Sequence, residues 1–177
     1  MRAAIAESTM SVVSRFKSTE SLVSARLVAV HDAWLRIAAG RVAPRREEIT
    51  PALLKSALPW IWMIDAIDGG RDFRFRIAGD RVVQFLGRRY AGETLSQFTD
   101  QPFFQRMHTV LLESVRCRRP LAVGPIGSNL PGKEFLEMEI IVLPLSEDGE
   151  HVTTIFGAME IGPVAGHSKA AGGSTLA

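Results

Sequence analysis

The stretch from Pro59 to Ala78 constrains the fold more than any other. It reads PWIWMIDAI, then Asp68-Gly69-Gly70, then RDFRFRIA. The first run is apolar and rich in aromatic and β-branched residues, the composition of a largely buried strand. Asp-Gly-Gly supplies the positive-φ residues of a tight hairpin turn. The second run alternates, with Phe73, Phe75 and Ile77 on one face and Arg74 and Arg76 on the other, the period of a half-buried strand. A chain carrying this pair is expected to build an antiparallel sheet.

The flanking segments supply the remaining elements. Upstream, Val23, Leu27, Val30, Trp34 and Ile37 are spaced four, three, four, three. They form one helical stripe that can pack on its own sheet or on a partner helix. Phe16 lies one heptad before Val23, so the helix can begin earlier, and Gly40 is a suitable stop. Thr50-Pro51 reads as an N-cap followed by proline at the first helical position. That short helix runs to about Ala57 and ends before Pro59. Downstream of the hairpin, Val82, Val83, Phe85 and Leu86 make a helical patch ending at Gly87. Asp100 is placed to cap a longer helix, Pro102 to Cys117, whose apolar arc holds Phe103, Phe104, Met107, Val110, Leu111 and Val115. Three strands are expected after it, Leu121 to Ile126, Lys133 to Leu143 and Val152 to Ile161, separated by the turns GSNLPG and SEDGE. Two strands, a helical crossover and a three-strand meander make an α+β domain with a five-stranded antiparallel sheet and an N-terminal helical extension. Residues 1–21 are expected to be a flexible arm, 22–57 a helical region, 58–162 the core and 163–177 a disordered tail.

Bulk properties exclude several classes. Of the 177 residues, 46% are hydrophobic and 23% charged, enough apolar material for a real core. The net charge is only +2 and the arginines are scattered, so a nucleic-acid partner is not expected. Cys117 is the only cysteine, which excludes an internal disulfide and any metal site built on cysteine spacing. No apolar run approaches the roughly 18 residues of a membrane span. The opening residues lack the continuous apolar core of a secretory signal. A reduced, cytoplasmic protein is expected.

Several motifs point further. They are W-x5-G-x3-P-x-R from Trp34 to Arg46, EITPxxL from Glu48 to Leu54, and LPWIWMID from Leu58 to Asp65. FRFRIAG from Phe73 to Gly79 and FLGRRYAGETL from Phe85 to Leu95 complete the set. In this order, over Trp34 to Ile161, they resemble a bacterial PAS-type domain family often found as stand-alone proteins. Asp80 departs from the family pattern, which more often has threonine there. The resemblance implies a sensory or signalling role, frequently through dimerisation, with a small-molecule cavity between sheet and helices. The cavity residues expected on this reading are Trp62, Phe75, Met107, Leu111 and Met138, with Gln84, Thr94 and His108 as inward polar groups. Trp60, Met63, Phe73, Phe135 and Ser96 are further candidates. A cavity of this kind suits a small, mostly apolar metabolite, whose identity the sequence leaves unknown. Transmission is then expected through a protein–protein contact, a homodimer formed by the N-terminal helix or an unidentified signalling partner. A ligand-free adaptor and a small cone-fold isomerase or hydrolase are the alternatives.

Reactive chemistry is poorly represented. There is no G-x-S-x-G elbow, P-loop, G-x-G-x-x-G after a strand, or H-E-x-x-H. Glu137 and Glu139 share a strand face, where a solvated or salt-bridged pair is a better reading than paired catalytic acids. His108, at the edge of the long helix's apolar arc, sits where haem-binding PAS domains carry an iron ligand. A hydrogen-bonded structural histidine is the plainer reading. The light-sensing PAS subclass needs a cysteine that the segment Tyr90 to Phe98 lacks. Cys117, between Arg116 and Arg118, reads as an inert thiol or a redox-sensitive one. No enzymatic role is expected.

Overall fold

The computed structural model describes residues 16–164. Among these, six strands form one wholly antiparallel sheet. They are β1 (Phe16–Lys17), β2 (Ile61–Ile67), β3 (Asp72–Ala78), β4 (Leu121–Gly127), β5 (Leu136–Leu145) and β6 (Thr154–Pro163), arranged β1-β4-β5-β6-β2-β3. The four α-helices are α1 (Ala25–Ala38), α2 (Pro51–Leu54), α3 (Asp80–Leu86) and α4 (Pro102–Cys117). α3 and α4, with a 3-10 turn at Leu95–Phe98, carry the chain from the β3 edge across to β4. This is the expected α+β order, with a sixth strand added.

The hairpin turn places Asp68, Gly69 and Gly70 at φ of 47°, 68° and 93°, the left-handed conformations its sequence accommodates. Trp62, Ile64 and Ala66 pair with Ala78, Phe75 and Phe73. Between Met63 and Ile64 the register slips by one residue, so Arg76 bulges out of the ladder. The expected face of Phe73, Phe75 and Ile77 is therefore broken. Phe73 and Phe75 stay buried, while Ile77 faces the opposite side across from Met63 and is 46% exposed.

The pleat sorts the strands into two interiors. Trp62, Ile64, Phe73, Phe75, Met138 and Met159 project to the face roofed by α3 and α4. Ile61, Met63, Ile141, Leu143, Leu145, Phe156 and Ala158 project to the other face, where Leu27, Val30, Trp34 and Ala38 of α1 cover them. α1 thus packs on its own sheet. Its buried stripe lacks Val23, which lies before the helix and is 80% exposed. The helix cannot begin earlier, because Phe16 and Lys17 are drawn into β1 beside Val123 and Ala122. Most of the expected arm, residues 1–15, lies outside the described residues, as do residues 165–177 of the expected tail. Pro163 and Val164 continue the pairing of β6, the latter donating its N–H to the Phe135 carbonyl at 3.0 Å.

Local endings differ from expectation in detail. Ser24 caps α1, its hydroxyl accepting the Leu27 N–H at 3.4 Å. Ala39, at φ 48°, ends the helix one residue before Gly40. Thr50 makes no side-chain cap, and Pro59 lies inside a 3-10 turn (Lys55–Trp60) that continues the short helix α2. Gln101, with no side-chain cap bond, replaces Asp100 at the start of α4.

One glycine fixes the approach of two strands. A β-carbon on Gly157 would run into the indole of Trp62 and stand 2.6 Å from the Ile141 carbonyl oxygen. Gly157→Ala is expected to cost on the order of 3 kcal/mol, because neither backbone nor buried ring can yield cheaply. Gly162→Ala on the same strand meets nothing within 4 Å and is expected to change stability by under about 0.5 kcal/mol. Urea unfolding of both variants checks the contrast.

Candidate functional site

Between the sheet and the crossover helices lies an apolar cavity of about 70 Å³. The pleat supplies its floor: Trp62 and Ile64 from β2, Phe75 and Ala78 from β3, Val123 and Ile126 from β4, Met138 and Ile140 from β5, and Met159 from β6. Val82 and Leu86 of α3 and Phe103, Arg106 and Met107 of α4 form the roof, and Ile77, at the bulged sheet edge, borders this cavity as well as the opposite face. Among the described residues Arg106 is the one charged member of the wall, and its guanidinium donates to the Gly127 carbonyl at 2.9 Å. A chamber lined this way stays dry or takes an apolar guest. Three methionines in the wall give it soft, adjustable sides.

The two sheet-facing indoles are treated differently. Trp34 Nε1, on α1, donates to the Pro144 carbonyl at 3.0 Å. Trp62 Nε1, in the cavity wall, is buried with no hydrogen-bond partner, a deficit of about 1–3 kcal/mol.

Trp62, Phe75, Met107 and Met138 therefore line one cavity, as the sequence reading grouped them. Gln84, Thr94, His108 and Leu111 stand elsewhere. Gln84 is exposed on α3 and accepts from Arg81 at 3.3 Å. Leu111 is buried in the core beside the cavity. Thr94 bridges to Arg74 and meets Ser96, their hydroxyl oxygens 3.2 Å apart. His108 packs edge-on against Phe73, ring centroids 5.4 Å apart. Off the cavity wall, beside a chamber far below the roughly 300 Å³ where cofactor clefts begin, His108 is ill placed to hold a porphyrin. Of the further candidates, Phe73 is fully buried core, Met63 belongs to the opposite face, Trp60 lies under the Arg26 guanidinium at 4.4 Å, and Phe135 is 51% exposed. Ile140, Met159, Ile126 and Val82 escaped the sequence reading, since no polar or aromatic signal separates them from ordinary core. The period-two pattern of β5 from Met138 would have found Ile140.

The cavity's flank is stiffened by aromatic packing. Tyr90 meets Phe75, Phe98 and Phe104 at centroid distances of 5.4, 5.1 and 5.3 Å, and Arg88 lies over it at 4.0 Å. The loop around Tyr90 also clamps the sheet edge: Phe75 donates to the Glu93 carbonyl at 3.0 Å, and Gly92 to the Phe75 carbonyl at 2.8 Å. A covered edge resists pairing with another chain.

Among the described residues nothing near the cavity assembles a reactive set. Ser96, Asp72 and His108 lie close, but the Ser96 hydroxyl donates directly to Asp72 Oδ2 at 2.6 Å. Asp72 Oδ1 accepts the Phe73 and Ser96 N–H groups at 2.7 and 3.1 Å. The carboxylate thereby ties the start of β3 to the turn at Leu95. Cys117 Sγ lies near the Ser114 and Arg119 carbonyls at the far end of α4. Among the described residues no group of three or more His, Cys, Asp or Glu could hold a metal ion. No described helix is long and apolar enough to cross a membrane.

Burial pushes the Asp72 carboxyl up, but the bonds from Ser96 and Phe73 outweigh it and hold it below the ordinary aspartate value. A depressed folded-state pKa adds stability that is present above the unfolded value of 3.8 and is lost as pH falls through the folded one. Asp72→Asn is therefore expected to destabilise at pH 7, with the gap to wild type narrowing below pH about 3.8. Urea unfolding at several pH values measures it.

Comparison with known proteins agrees with this architecture. No curated protein matches the chain. A family model described as PAS domain matches residues 22–160, which span α1, the whole crossover and all but the last residues of β6. The chain belongs to the PAS domain family.

Proposed function

We propose that this protein is a non-catalytic, cytoplasmic sensor that takes a small, neutral, mostly apolar molecule into the cavity and passes the event on by protein–protein contact. The carrying observation is the cavity itself, with Arg106 its one charged lining residue among those described and three methionine side chains in its wall. PAS domains are in general sensory modules and not catalysts, which supports the same reading. The methionines let the chamber grow beyond its empty volume when a guest enters. A guest that binds the folded state alone stabilises it by about 2.7 kcal/mol at a hundred times its dissociation constant.

Output by a homodimer fits the outer side of α1. Val28 and Leu35, one heptad apart, are 38% and 47% exposed, although the opposite side of the same helix is buried. A second copy packing there would cover both.

Native mass spectrometry of the purified protein is expected to reveal a retained small molecule, or melting to rise on titration with toluene. Ala78→Leu, which puts a larger side chain into the cavity wall, is expected to abolish both effects. A protein that carries nothing and is unmoved by any small apolar compound would be the ligand-free adaptor instead. The doubly charged variant Val28→Glu/Leu35→Glu is expected to sediment as a monomer where the wild type sediments as a dimer. Identical sedimentation of the two would remove the α1 dimer.

A further inference from the structure

The cavity wall and the start of α1 are joined through β5 and β6 by alternating side chains. Met138 and Ile140 face the cavity, and Glu139 between them faces the other way. Across the ladder, Met159 faces the cavity and its neighbour Glu160 again faces α1. Glu139 and Glu160 are register partners.

Both carboxylates are spent on the chain entering α1. Glu139 is only 7% exposed, a rare state for a carboxylate. Its Oε1 accepts the Val23 N–H at 2.9 Å and its Oε2 the Ser24 N–H at 2.8 Å. Glu160 accepts the Ser24 hydroxyl at 2.8 Å and pairs with Arg26, which in turn lies over Trp60. Ser24 is the residue that caps α1. Bonds from backbone N–H groups to a carboxylate are among the stronger hydrogen bonds, and geometry decides their strength. A small shift of the strands at Met138 or Met159 therefore moves the acceptors on which the helix cap hangs.

We infer that Glu139 and Glu160 form a latch through which occupancy of the cavity loosens the start of α1. Glu139 is a positioning residue: it touches no guest and acts through Ser24. The inference rests on the cavity being a guest site, as proposed above. Its strength lies in the pleat, which makes each cavity-facing residue on these strands the covalent neighbour of a latch residue.

The test uses full-length protein with labelled methionine methyls, and toluene as the probe. The methyls of Met107, Met138 and Met159 report occupancy, and amide exchange at Val23 and Ser24 reports the latch. Saturating toluene is expected to shift the methyls and to speed exchange of both amides by about threefold or more. In Glu139→Gln, which keeps the side chain's shape, the methyl shifts should persist while toluene no longer alters the two amides. Toluene-loaded wild type with unchanged amides would overturn the latch and leave the ligand reading intact. Unshifted methyls would strike the ligand reading, and the latch is then decided without a guest. Met138→Ala, beside Glu139, is expected to speed the two amides about threefold relative to Val82→Ala on α3. Equal rates in those two variants would overturn it.

Discussion

Because α1 closes one side of the sheet and the crossover helices close the other, neighbouring residues of β5 and β6 must serve two separate interiors. Antiparallel sheets commonly leave one face to water and so read as alternating apolar and polar residues. Here Ile141, Val142 and Leu143 are all fully buried, and so are Ile155 and Ala158. The same demand leaves little room for charge between the layers. Where Glu139 intrudes, two backbone N–H groups meet it, as a buried anion requires. Gly157 follows from the same constraint: the Trp62 indole lies across it, and only a residue without a side chain admits the ring.

The sequence showed which elements exist more clearly than where their side chains go. The hairpin, the crossover and the meander were legible because apolar periodicity and turn residues reinforce one another there. The Arg76 bulge was not, since a one-residue slip leaves no mark in an alternating run, and it turned Ile77 to the wrong side. β1 was missed because two residues carry no period, and its partner Val123 is distant in sequence. Val23 looked like the first tooth of the α1 stripe, but Ser24 caps the helix after it. For the cavity, bulky or sulfur-bearing residues such as Trp62, Phe75, Met107 and Met138 stood out. The polar residues Gln84, Thr94 and His108 were drawn inward by chemistry alone, and the structure gives each a partner elsewhere.

Anchoring of α1 is divided between two kinds of contact. Leu27, Val30 and Trp34 supply buried apolar area, which is insensitive to small displacements. The Trp34 indole bond to Pro144 and the carboxylate bonds at Val23 and Ser24 are directional. A helix held in this way can change its hydrogen bonding at one end while its packed side stays seated.

The chain's three tryptophans stand at three stations of this arrangement. Trp34 is on the helix with its N–H bonded, Trp60 is stacked under a guanidinium beside the latch, and Trp62 is in the chamber wall with its N–H unmet. Indole emission responds to polarity and to nearby cations. The protein thus carries its own optical probes, one each for the covering helix, the joint and the chamber, and replacing any two by phenylalanine isolates the third.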